Sequence, residues 1–528
     1  MKRILLLCLP VIFLLSACGN SAPSGEDARG AEKHLVIAVN PDYSSFDPAV
    51  SYEAYGVTVI HSCYDTLFEF DGSLDNLRLS IADAYEVSAD GLKYTFKLKP
   101  NVTFTGGNKL SSADVKWSFE RAINIKGNAA FMAAKIAGID APDDLSVVLN
   151  LNAPDPALPV KLAYSFFAVL DSKAAAEHGA TNAADANTAD TAKTWLDANS
   201  VGSGPYRIES YTPKSELSLV RNPDYWGKAS YYDRITIKTI ADASTQVMML
   251  QAGDVDIALN VGPEQARELS GKEGITILNA QALTLHFLLM NRDPATGGPV
   301  ANPKVQKAIR LALDYPGIQA IAGPGTATPS APFPLGLAGS LPAVNVSAYP
   351  KTAEAKALLA EAGYAGGFKT KLYVPTTTVG GVEFVTMAQK IQNDLAAVGI
   401  DAEIIPEEIT VSLSSYREGR QPLGLWYWNP DYPDNSSQLA FLPGSVVGLR
   451  AKWEAKANPA LADLGKQASV EANLLKRSEL FGKIQEAMIE DTPFAMLVQF
   501  TSQYATRSGI TGAEYLDRYK IDLKKLAE

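Results

Sequence analysis

Cysteine is scarce in this chain of 528 residues: there are three, Cys8, Cys18 and Cys63. Cys8 falls in a short N-terminal leader and Cys18 directly follows it as the expected site of a lipid, so only Cys63 is left for the body and no intrachain disulfide can staple it. Stability has to come from apolar burial, which a chain of this length can supply. Histidine is also sparse. His34, His61, His178 and His286 are scattered without H-E-x-x-H or any other ligand spacing, which argues against a zinc hydrolase. There is no G-x-x-x-x-G-K-[ST] cradle for phosphate. Gly202-Ser203-Gly204 lacks the spacing of a G-x-S-x-G nucleophile elbow and reads instead as a tight turn before a strand over 206–211. Carboxylates are plentiful, but spacing pairs none of them into an acid–base couple. The chain therefore reads as a non-enzyme with no cofactor and no metal. Basic charge is in deficit, with 47 Lys and Arg against 58 Asp and Glu and a formal net charge of -11, which disfavours nucleic acid as a partner. The apolar run Ile4 to Leu15 falls well short of the roughly 20 residues needed to span a bilayer.

What is present begins with that leader. Lys2 and Arg3 precede the apolar run, and Leu15-Ser16-Ala17-Cys18-Gly19 resembles the lipobox of bacterial lipoproteins, in which cleavage leaves the lipidated cysteine as the new N-terminus. The expectation is a signal peptide over 1–17, a lipid on Cys18 and a flexible spacer over 18–32. Acyl chains contribute about 0.8 kcal/mol per buried CH₂, so several would hold the domain at a membrane.

Beyond the spacer, strand and helix signals alternate. His34 to Val39 reads as a buried strand leading into the turn-rich 40–48, and 94–98 as a strand after the Asp90-Gly91 turn. Ser111 to Asp114 opens a helix through Trp117, Phe119 and Ala122. The stretch 174–200 reads as a helix and exposed loop at a subdomain edge. Ala355, Leu358, Leu359 and Ala362 follow helical spacing, with Thr352 as the expected cap and Gly363 at the end. Phe384, Ala388, Ile391, Leu395 and Val398 mark a second helix, stopped by Gly399 before a strand over 400–404. Another helix passes Leu480, Ile484, Ala487 and Met488 and ends before Pro493.

The segment Leu423-Gly424-Leu425-Trp426-Tyr427-Trp428-Asn429-Pro430-Asp431-Tyr432 carries the most chemistry. As a strand it sends Leu423, Leu425 and Tyr427 to one face and the two tryptophans to the other. Asn429-Pro430 breaks the strand, leaving Asp431 beyond its carboxyl end, where open α/β sheets bind ligands. One carboxylate among indoles suits a ligand with a cationic amine and apolar groups. The alternative is that both tryptophans are core and Asp431 caps a turn.

Several blocks together resemble the peptide/nickel-type bacterial extracellular solute-binding proteins, family 5, which serve ABC importers. They are 81–88, 90–98 and 111–119, then Gly202-Ser203-Gly204-Pro205-Tyr206 with Arg221-Asn222-Pro223-Asp224-Tyr225-Trp226, then 250–257, then 357–364. Thr105-Gly106-Gly107 departs from the family's usual His-Asp-Gly turn. The resemblance implies an α/β fold of the periplasmic-binding-protein type (type II, cluster C): two lobes around a cleft, with an extra subdomain in the N-terminal lobe. Expected bounds are 33–280 for that lobe, including the subdomain at about 75–198, 281–492 for the C-terminal lobe, and a tail over 493–528 returning to the first lobe. It further implies a monomer that binds a small molecule, an oligopeptide or similar, and docks on an ABC permease and ATPase complex at the membrane to which it is lipid-anchored. An aspartate in a W-x-x-D-Y segment would pair with the ligand's amino terminus, and Asp431 occupies that position. The expected ligand-binding set is Asp431, Trp428, Trp426, Tyr432 and Tyr43, with Arg417, Arg420 and Arg450 as candidates for a ligand carboxylate. A receptor for an opine, oligosaccharide or other conjugate is the alternative within the family, and an exported hydrolase the alternative outside it.

Overall fold

The alternating strand and helix signals resolve, in a computed structural model, into a ten-stranded sheet that runs through both lobes. The structure describes residues 32–528 apart from Asp42, Asp75 and the side chain of Arg518. The leader, Cys18 and all but the last residue of the spacer lie outside the described residues. From the C-terminal lobe the strand order is Ile400–Glu407, Phe368–Pro375, Leu423–Trp428, then the long strands Ile275–Met290 and Phe494–Arg507. It continues into the N-terminal lobe with Ile257–Val261, His34–Val39, Arg234–Thr239, Glu216–Arg221 and Tyr206–Thr212. At about 3.3 Å per residue, a strand of 16 residues spans roughly 50 Å, enough to belong to both lobes.

These two crossing strands pair antiparallel, but their register slips: Gln281 faces Thr501, whereas Leu285 faces Gln499. Ala282 to Thr284 leave the ladder, and two of the freed groups find side-chain partners. Gln499 donates its side-chain amide to the Ala282 carbonyl at 2.8 Å, and the Leu283 N–H donates to the Asp517 carboxylate at 3.0 Å.

In the C-terminal lobe, the helix Phe384–Ala396 buries Phe384, Ala388, Ile391 and Leu395 of the periodic set read from the sequence, together with Met387; Val398, the last of that set, lies beyond the helix end but is also buried. Gly399 follows with φ +89°, the left-handed conformation that ends the helix cheaply only for glycine. The helix Thr352–Glu361 differs from expectation at its start: Thr352 is its first residue and Lys351 its cap, with no side-chain cap bond.

The extra subdomain is a four-stranded antiparallel sheet, in the order Ala82–Val87, Lys93–Leu98, Ser146–Leu151 and Ile136–Asp143, packed against the helix Ser112–Ile125. At the helix start the Asp114 carboxylate accepts from the Ser111 N–H at 2.9 Å and hydroxyl at 2.7 Å, closing a capping box. From its last turns Arg121 reaches Asp47 through two bonds of 2.8 and 2.7 Å and Asp190 through two of 2.7 and 3.0 Å, all three side chains being at most 2% exposed. This trio bolts the subdomain helix to the 40–48 turn and to the 174–200 edge, where only short helices form. Gly202 and Gly204 keep negative φ, so turn conformation is not their constraint. A Cβ at either would collide with the backbone of Cys63, and the requirement is close approach. After the second crossing strand, Ile521, Leu523 and Leu526 join the same buried core as Leu35 and Ile37 of the N-terminal lobe.

Candidate functional site

The strand Leu423–Trp428 pairs with the first crossing strand, Trp426 opposite Phe287 and Trp428 opposite Leu285. Alternation sends Leu423 and Leu425 into the core under the helix Phe384–Ala396, and Trp426 into the other core of that lobe. Only at the end of the strand do side chains reach the open space between the lobes. That cleft has a volume of about 1340 Å³, above the 300–1,000 Å³ of ordinary small-molecule pockets. Its N-terminal wall includes Tyr52, Glu53 and Asn260, its subdomain rim Asn128 and Phe131, and its C-terminal wall Trp428, Asp431, Arg417 and Arg450.

The predicted residues separate into three groups. Trp428 and Asp431 line the cleft. The Trp428 ring packs edge-on against Phe441, 5.5 Å between centroids, and its buried indole N–H has no partner among the described residues. Asp431 accepts a hydrogen bond from the Tyr52 hydroxyl, which comes from the opposite lobe. Trp426 also borders the cleft but is 2% exposed; its ring stacks on Tyr416 at 4.2 Å and its N–H is held by the Gln421 carbonyl oxygen at 2.7 Å. Tyr432 and Tyr43 do not line the cleft. Past Pro430 the strand alternation no longer holds, and the Tyr432 ring turns into the buried core of the subdomain. Tyr43 packs with Phe46 and Tyr211 at centroid distances of 4.9 and 5.9 Å in the N-terminal lobe.

Of the three arginines, Arg417 and Arg450 line the cleft and Arg420 does not; Arg420 pairs with its neighbour Glu418 at 2.9 Å. The Arg450 guanidinium lies 4.7 Å above the Tyr416 ring, which itself rests on Trp426. Gln421, bonded to the Ser415 hydroxyl at 2.8 Å, fixes the base of this stack. Neither Arg417 nor Arg450 has an ion-pair partner among the described residues. The cleft thus holds a carboxylate beside Trp428 and two guanidiniums without ion-pair partners among the described residues, that of Arg450 resting on an aromatic pedestal. Sequence inspection missed Tyr52 and Tyr416: Tyr52 lies 379 positions from the aspartate it touches, and no local pattern marks it.

No group of three or more His, Cys, Asp or Glu placed to hold a metal ion occurs among the described residues. Cys63 is buried in the N-terminal lobe, and burial pushes its thiol up to about 12, which removes it from nucleophilic chemistry at neutral pH.

A sheet shared by two lobes across a cleft, with an inserted subdomain, is the architecture of the cluster C periplasmic binding proteins. The ABC transporter-associated periplasmic binding protein DppA from Helicobacter pylori, in complex with the peptide STSA, superposes with a TM-score of 0.76 at 25% identity, covering 94% of this chain and 98% of that one. The chain belongs to the bacterial extracellular solute-binding proteins, family 5, whose middle region matches residues 76–447. It is similar to the glutathione-binding protein GsiB of Pectobacterium atrosepticum, 30% identical over 402 residues, 74% of this chain and 72% of the relative. It is also similar to the probable D,D-dipeptide-binding periplasmic protein DdpA of Escherichia coli, 24% identical over 484 residues, 90% of each. This is a family of binding proteins of ABC transporters, not of catalysts.

Proposed function

We propose that the chain captures short peptides or peptide conjugates in the interlobe cleft and delivers them to an ABC permease. The observation that carries this reading is the separation of charge in the cleft: Asp431 beside the Trp428 indole for a ligand ammonium, and Arg417 with Arg450 for one or two carboxylates. A zwitterion with a peptide backbone matches both ends. The Trp428 N–H, which has no acceptor among the described residues, supplies a donor for a backbone carbonyl near the ammonium. The volume suits a ligand of several residues better than a bare ion. The names of the similar proteins, binders of glutathione, of D,D-dipeptides and of the peptide STSA, agree with that chemistry. In this reading Cys18 carries the lipid that keeps the receptor near its permease.

The test is calorimetric titration with glutathione, a dipeptide and a tetrapeptide, each compared with its N-acetylated form. A ligand at a hundred times its Kd also adds about 2.7 kcal/mol to stability, so thermal shift screens the same panel. Asp431→Asn is expected to weaken binding of the free-amine ligand by about 2–5 kcal/mol while N-acetylation of the ligand costs the wild type a similar amount. If the bound ligand is indifferent both to acetylation and to Asp431→Asn, the ammonium assignment is wrong; dependence on Arg450 alone would then favour an opine-like carboxylate ligand.

A further inference from the structure

Two consecutive residues of the C-terminal lobe, Asp431 and Tyr432, both make contact with the opposite lobe. Asp431 accepts from Tyr52, at the rim of the N-terminal lobe. Tyr432 is 8% exposed and belongs to the buried core whose other members come from 49–169, with Leu516 and Tyr519; no other residue of the C-terminal lobe is part of it. The Lys161 ammonium sits 4.9 Å from the Tyr432 ring and is held there by Asp155 at 2.6 Å. Beside it, the Lys135 ammonium donates to the Ser469 carbonyl of the C-terminal lobe at 3.1 Å and to the Pro154 carbonyl of its own subdomain at 2.7 Å.

The base of this projection is rigid. Asp434 is held by Arg477 through two bonds of 2.7 and 2.6 Å, and its N–H donates to the Tyr432 carbonyl at 2.8 Å. Asn435 donates to the Ala338 carbonyl at 2.8 Å. The tyrosine is therefore presented as a fixed plug and pays little conformational entropy on docking, so the apolar burial and the cation–π contact go largely into holding the lobes together.

The geometry points to a clasp: Tyr432 inserted into the subdomain, with Tyr52 on Asp431 beside it, biases the two-lobed chain toward closure through contacts made wholly within the protein. Tyr432 is then an affinity-setting residue that touches no ligand, and Tyr52 a positioning residue for the carboxylate. The clasp rests on the proposed function only in that Asp431 is shared with a ligand; its closing contacts are independent of ligand chemistry.

The experiment measures the interlobe distance in the full chain without added ligand, by single-molecule energy transfer between dyes on Glu177→Cys and Lys369→Cys. Both sites are exposed, Cys8→Ser and Cys18→Ser keep the dyes off the leader, and the buried thiol of Cys63 stays unlabelled. The expected result is a dominant short-distance population that Tyr432→Ala shifts toward the long distance by roughly tenfold or more in ratio, with Tyr52→Phe shifting it less. Tyr432→Phe keeps the ring and is expected to keep the short distance, which separates loss of the plug from loss of the fold. An unchanged distribution in Tyr432→Ala, or a wild-type chain that is open throughout, overturns the clasp. Neither outcome tests which ligand group Asp431 binds, so failure of the ammonium assignment would be seen separately, in the dependence of the titrations on N-acetylation.

Discussion

The buried trio of Arg121, Asp47 and Asp190 and the wall of the cleft use the same kinds of side chain for opposite ends. In the trio every guanidinium bond is spent inside the protein and water is excluded. On the cleft wall, among the described residues, Arg417 and Arg450 have no carboxylate partner and the Trp428 N–H has no acceptor. Charges that are fully paired hold lobes and subdomain in place; polar groups left unsatisfied facing a cavity are available to a ligand. His286 shows that an unsatisfied group alone is not enough. Both its ring nitrogens lack partners, but the ring is sealed between Phe384 and Phe500, 4.9 and 5.1 Å away, with no opening to anything it could bind.

The comparison breaks most visibly at Arg121. Arg121→Ala leaves two buried carboxylates uncompensated, and a loss of about 3–5 kcal/mol is expected in the denaturant midpoint. Ligand binding by the surviving folded fraction should be little altered; a stable variant would show that the trio is not a structural bolt.

His286→Leu sharpens the contrast from the other side. Burial lowers the ring to about 3, so the folded chain keeps it neutral while the unfolded chain protonates it below its ordinary value near 6.5. Its share of stability is present above pH 6.5 and is lost as the pH falls toward 3. The leucine variant should melt higher by about 1–2 kcal/mol at pH 7, with a margin that widens between pH 6.5 and 4. A margin constant with pH would contradict the neutral, sealed histidine.

The smallest expected effect is at Trp428. Trp428→Phe retains an aromatic ring and removes the donor, so ligand affinity should fall by about 0.5–1.5 kcal/mol with the melting temperature nearly constant. A fall in stability with unchanged affinity would place the indole with the core rather than with the cleft.

Elements with strong local period were legible: the capped helix from Ser112, the helix from Phe384 to its glycine stop, and the strand ending at Trp428. The crossing strand Ile275–Met290 was not, because its second half is buried on both faces and carries no alternation. In the site, position relative to a strand end identified Asp431 and Trp428 as cleft residues. What surrounds them was hidden for a different reason. Tyr52, the Tyr416–Arg450 pedestal and the inward turn of Tyr432 depend on contacts between segments far apart in sequence or on the course of the chain after a proline.

The placement of the tail beside Leu35 has a consequence for how the chain is made. The core of the N-terminal lobe contains Leu35 and Ile37 together with Tyr504, Ile521, Leu523 and Leu526. The strand His34–Val39 is bounded by Ile257–Val261, which in turn leans on the last crossing strand. A ribosome therefore releases the first lobe unfinished, and its closing pieces arrive last of all. In the second lobe the core under the helix Phe384–Ala396 comes mostly from one later stretch, 288–425. Such a delay keeps an emerging chain pliable until synthesis ends.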